Sequence, residues 1–86
     1  MGELIFTVAG TYTIEGRGIV AVASAWGAGT ARIGDRVELH RPDGSTLNSI
    51  VGGITYPQKE LLLSGKLQRA DVPAGTEIWT RDDSRM

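Results

Sequence analysis

Apolar and polar residues alternate along much of this chain with the period of two that marks half-buried strands. Leu4, Phe6, Val8, Tyr12 and Ile14 share one parity, with Thr7, Thr11 and Thr13 among the intervening residues. Gly10 interrupts that face and predicts a bulge or bend, which a long first strand in a small barrel needs if it is to serve two neighbours. Ile19 to Trp26 is apolar on both parities, as in a strand covered on both faces, and Gly27-Ala28-Gly29 ends it. Arg36 to His40 returns to strict alternation, with Val37 and Leu39 inward. Arg41-Pro42-Asp43-Gly44 then signals a tight turn, because Pro presets one backbone angle and Gly accepts the positive one.

The second half continues in the same manner. Thr46 to Tyr56 reads as a strand broken by Gly52-Gly53, which permits a bulge, and Pro57-Gln58-Lys59 is a loop. Glu60 to Leu67 and Thr76 to Thr80 are the remaining strands. Gln68 to Gly75 is a turn with Val72 tucked under the barrel, since Pro73 and Gly75 oppose a regular strand there. No helical apolar stripe exceeds about two turns, so the predicted class is all-β, a small antiparallel β-barrel of about six to seven strands. Phe6, Val8, Tyr12, Ile14, Val20, Val22, Val37, Leu39, Ile50, Leu61, Leu63 and Ile78 are the predicted core.

Three stretches, in order, resemble domain II of the translational GTPases, the elongation factor Tu-like β-barrel. They are Tyr12-Thr13-Ile14-Glu15-Gly16-Arg17-Gly18-Ile19-Val20, then Ala31-Arg32-Ile33-Gly34-Asp35-Arg36-Val37-Glu38-Leu39, then Leu61 to Gly65 with Ala70 to Ile78. The resemblance runs from about Phe6 to Thr80 and implies the translation-protein type of barrel, as a stand-alone domain without the GTPase domain. It also implies that the Gly-Arg-Gly turn is architectural: Gly16 and Gly18 supply unusual backbone angles, and Arg17 folds back over a carboxylate or carbonyls. Asp35 would bond backbone donors in the turn that opens the following hairpin. Members that hold the 3′ end of tRNA carry an acidic residue and an aromatic before the mid-barrel loop. Here Gly53-Ile54-Thr55-Tyr56 places Tyr56 at the aromatic and has no counterpart for the acid.

Eighty-six residues suffice for one compact core, so we expect a single domain over residues 1–80 and a frayed polar tail over 81–86. The initiating Met1 and that tail fit a small complete chain and a domain excised from a larger GTPase equally well. The chain has no Cys and no apolar stretch long enough to span a bilayer, which suits a cytoplasmic protein without membrane contact. Its formal net charge of −1, from 9 basic and 10 acidic side chains, gives no support to general nucleic-acid binding and leaves room for a local patch.

Chemistry-bearing constellations are scarce. His40 is the sole His, lies on the polar side of its strand and reads as a solvated surface residue, so no metal site and no cofactor are expected. Gly16-Arg17-Gly18 lacks the Lys-Ser or Lys-Thr of a P-loop and precedes a strand, so no nucleotide is expected to bind and no enzymatic activity is predicted. Two functional classes follow. One is a non-catalytic binding module that engages RNA or a translation component through Arg17, Arg32, Arg36, Tyr56 and Lys59. The other is a protein-interaction or assembly module unrelated to translation. Arg residues gathered beside an exposed aromatic would favour RNA, and an exposed apolar patch would favour a protein. The oligomeric state is left open.

Overall fold

The computed structural model describes residues 2–55, 60–63 and 67–81. Among these residues six strands form in chain order: β1 Leu4–Ile14, β2 Gly18–Trp26, β3 Arg36–His40, β4 Thr46–Thr55, β5 Glu60–Leu63 and β6 Glu77–Thr80, with a 3-10 turn at Arg69–Asp71 between the last two. Every pairing is antiparallel, and the sheet closes as a barrel in the order β1-β2-β5-β4-β3-β6. The all-β barrel expected from the alternation is therefore present. Among the described residues no helix is long and apolar enough to cross a membrane.

The length of β1 is what allows closure, because its first half pairs with β6 and most of its length pairs with β2. Two bulges make that possible. Thr7 pairs with Ala25 and Val8 with Ala23, which leaves Ser24 as an extra residue on β2; Val8 with Ala23 and Gly10 with Val22 leave Ala9 as an extra residue on β1. Each extra residue reverses the inward parity of its strand, and since both strands reverse together their pairing survives. Phe6 and Val8 accordingly point into the core, whereas Tyr12, on the same parity, is 44% exposed. That overturns the expectation that Tyr12 is core. Ile14 and Val22 are half-buried.

The same device operates in β4. Val51 pairs with Leu63 and Gly53 with Leu62, so Gly52 is the extra residue. Before it Ser49 and Val51 are buried; after it Ile54 packs against the core. Ile50 and Ile54 share a sequence parity yet face opposite ways. Ile50 is 45% exposed rather than core as expected.

The interior is filled by Phe6, Val8, Ile19, Ala21, Val37, Leu39, Val51, Leu61, Leu63 and Ile78, together with Ile5. Val72 joins them from the segment that follows the 3-10 turn and is 1% exposed, as its position between Asp71 and Pro73 suggested. Val20 and Leu62 are buried as well but pair with each other on the outer face, opposite in parity to Ile19 and Leu63. The double-sided apolar pattern of β2 therefore has two causes, an inner core and an outer Val20–Leu62 contact. Ser24 to Trp26 are exposed, although Trp26 still meets Phe6 edge-on with ring centroids 5.0 Å apart.

Candidate functional site

One end of the barrel holds an open groove. β1 stops at Ile14, and the chain reverses through Glu15-Gly16-Arg17 into Gly18, with the Arg17 N–H donating to the Ile14 carbonyl at 2.9 Å. Gly16 has φ 81° and Gly18 φ 134°, angles that L side chains rarely adopt, so this reversal needs both glycines. The architectural expectation for the two glycines holds. For Arg17 it does not: the side chain is exposed and, among the described residues, folds back on no carboxylate or carbonyl.

Facing that reversal is the segment Leu67–Ala70, which leads into the 3-10 turn. The two together wall an open groove of about 600 Å³, lined by Arg17 and Ile14 on one side and by Leu67, Arg69 and Ala70 on the other. The 3-10 turn is fixed by its own acid, because Asp71 Oδ2 accepts the Gln68 N–H at 2.8 Å. Asp71 Oδ1 lies 3.8 Å from Arg41 Nη1, and the same guanidinium donates to the Asp71 carbonyl at 3.4 Å and, through Nε, to Ser45 Oγ at 2.7 Å. Asp71 is thus committed to Gln68 and Arg41. The exposed Arg69 has no ion-pair partner among the described residues, and neither has Arg17.

The remaining expected binding residues do not join them. Arg32, in the turn that precedes β3, and Arg36, at the start of β3 three strands round the ring from β2, are exposed, and neither lines the groove. Tyr56 and Lys59 lie outside the described residues. Asp35 behaves as the turn chemistry requires, its Oδ2 accepting the Arg32 N–H at 2.9 Å. Beside Arg36 the exposed surface is apolar. Ile33 is 67% exposed and Ile50 45%, and the two are held near each other because Gly34 N–H donates to the Val51 carbonyl and Val51 N–H to that of Asp35.

Two further surface groups were only partly legible. His40 is on the outer face as expected, but it is engaged rather than free: its ring stacks on Trp79 with centroids 5.5 Å apart, and Nε2 lies 3.0 Å from Glu38 Oε1. Trp79 Nε1 in turn donates to Glu77 Oε1 at 3.1 Å. The register that sets Glu38 against Trp79 and His40 against Glu77 builds this rung, which engages Nε2 of the ring. Tyr12 hangs on the outer face of the hairpin that ends at the groove, with its hydroxyl 3.4 Å from Glu60 Oε1. Loss of solvation and, secondarily, the Glu60 charge push its phenol above the ordinary value.

Among the described residues no group of three His, Asp or Glu side chains is placed to hold a metal ion. Arg69 was missed as a site residue. The sequence signal available was an Arg in a short segment between two strands, which acquires meaning only once the fold sets it across from Arg17. No protein family, curated protein or solved structure matches the chain.

Proposed function

We propose that this chain is a non-catalytic binding module, of the elongation factor Tu domain II kind, that engages RNA. The observation that carries the reading is the open groove flanked by Arg17 and Arg69, two guanidiniums without acidic partners among the described residues of a protein of net charge −1. Planar, always-charged guanidiniums are the side chains best suited to phosphate oxygens. Concentrating them at one place lets a protein of balanced charge hold an anionic polymer there without attracting it everywhere. The exposed Tyr12 stands on β1 of the hairpin whose reversal carries Arg17, outside the groove lining. A role beside the translation machinery in the cytoplasm goes with this reading, resting on the Gly-Arg-Gly and Gly-Asp motifs and on the lack of Cys.

The test is titration of labelled single-stranded RNA, tRNA and duplex DNA at two salt concentrations, with nucleotide hydrolysis followed alongside. Saturable, salt-sensitive RNA binding without turnover supports the reading; no binding to either RNA, or catalytic hydrolysis, sinks it. A second reading, a protein-docking module, is favoured by one observation, the neighbouring exposed side chains Ile33 and Ile50.

A further inference from the structure

The geometry points to a single-stranded RNA segment seated in the groove itself, with one base against an apolar floor and the flanking phosphates on Arg17 and Arg69. This rests on the RNA reading above and adds where the strand lies, what form it has and how many phosphates are held.

The groove is not a bare basic patch. Between its two guanidiniums it offers Ile14 and Leu67, both partly exposed, and the exposed Ala70. An isolated phosphate would gain nothing from those carbons. A nucleobase would, because every base has an apolar face that can lie on such a surface without sequence-specific hydrogen bonds. Only an unstacked strand can present that face, since in a duplex the bases are covered by their neighbours. The site therefore discriminates against duplex by the same contact that binds a single strand. Access to the groove wall is open at Gly16, where an added β-carbon would meet nothing within 4 Å.

Two guanidiniums set the charge count. Counterion release gives a salt slope of about −0.7 per phosphate neutralised on a single strand, so two contacts predict a slope of about −1.4. Each exposed Arg contact contributes modestly, and removing one lowers affinity about fivefold at moderate salt.

The experiment uses the full chain and a labelled oligouridine of about twelve nucleotides, read by fluorescence anisotropy at three salt concentrations. Arg17→Ala, Arg69→Ala, the double variant and Arg36→Ala are compared, each first confirmed to melt like the parent. The expected result is that Arg17→Ala and Arg69→Ala each weaken binding and flatten the slope by about 0.7, the double variant abolishes most of the slope, and Arg36→Ala changes neither. A duplex of the same length should bind more weakly than the single strand. Binding that survives both groove substitutions and fails with Arg36→Ala overturns the groove while leaving the RNA reading intact, and so does equal affinity for the duplex. Absence of binding by the parent to oligouridine and tRNA alike overturns both.

Discussion

A β-carbon at Gly18 would stand 2.5 Å from the carbonyl oxygen of Leu63. β2 and β5 therefore touch backbone to backbone where β2 leaves the Gly-Arg-Gly reversal. Gly16, two residues earlier, needs its positive φ but has open space around it. Gly16→Ala should cost about 1–2 kcal/mol, the ordinary penalty of a left-handed alanine. Gly18→Ala should cost about 3 kcal/mol or more, because backbone strain and steric overlap add. Urea unfolding of the two variants distinguishes them, and equal losses would mean that the close approach does not limit the side chain at Gly18.

Asp71 ties the 3-10 turn to the β3–β4 hairpin through Gln68 and Arg41. Asp71→Ala removes an acceptor for the Gln68 N–H and the partner of Arg41, and should lose about 1–2 kcal/mol. Asp71→Asn keeps an acceptor oxygen for Gln68 and should lose less. Chemical denaturation of both variants, at one pH and ionic strength, provides the comparison.

Ahead of the Gly52 bulge, alternation decides which isoleucine or valine of β4 matters. Val51→Asp buries an unpaired charge and should destabilise by about 3–5 kcal/mol, enough to unfold a marginal domain. Ile50→Asp, one residue away on the exposed face, should cost about 1 kcal/mol or less. Circular dichroism melts would show the reverse ranking if the register were shifted by one.

On the acid side the relevant group is Asp43, whose Oδ1 accepts from the Ser45 hydroxyl at 2.5 Å and from the Ser45 N–H at 2.9 Å. Those bonds, with a smaller contribution from the Arg41 charge, hold its carboxyl below the usual value. A depressed folded value means that this contribution is complete above the ordinary carboxylate value of about 3.9 and is lost as pH falls through the lower folded one. Asp43→Asn should therefore lower the neutral plateau of a stability–pH curve and flatten its acid limb, the two curves converging at low pH.

On the alkaline side Tyr12 acts with the opposite sign. Its raised folded value means that its contribution is complete below the ordinary phenol value of about 10 and is lost as pH rises through the folded one. A spectrophotometric titration of phenolate absorbance should show one tyrosine ionising late. That late component should vanish in Tyr12→Phe and shift toward the ordinary value in Glu60→Gln.

Much of the barrel was legible because strands announce themselves by alternation and turns by Gly and Pro. Arg36 to His40 occurs as read, and Val72 is buried where Pro73 and Gly75 forbid a strand. What failed were the faces of strands that carry a bulge. Gly10 and Gly52-Gly53 marked the neighbourhoods, but sequence alone does not say which residue is extra, and one unpaired residue inverts every later side chain. Tyr12, beyond the bulge at Ala9, was misplaced for that reason; Ile50 precedes the bulge at Gly52 and is exposed because it alternates with the buried Ser49 and Val51. The groove was less legible still. Arg17 and Arg69 are fifty-two positions apart, and only the pairing of Ile19 with Leu63 brings their two segments to one end of the barrel.

The pairing that closes the ring joins Leu4 to Trp79, almost the whole described chain apart, and Glu3 and Thr80 exchange hydrogen bonds just beyond it. Closing so long a loop costs entropy that local contacts cannot offset beforehand, so this bond between first and last strands forms late. During synthesis Phe6 and Val8 emerge early and wait for Ile78. Until then the half-ring exposes both its apolar interior and an unpaired β1 edge, a state prone to sticking to other chains. A barrel that is well sealed once closed is thus most vulnerable in the interval before β6 leaves the ribosome.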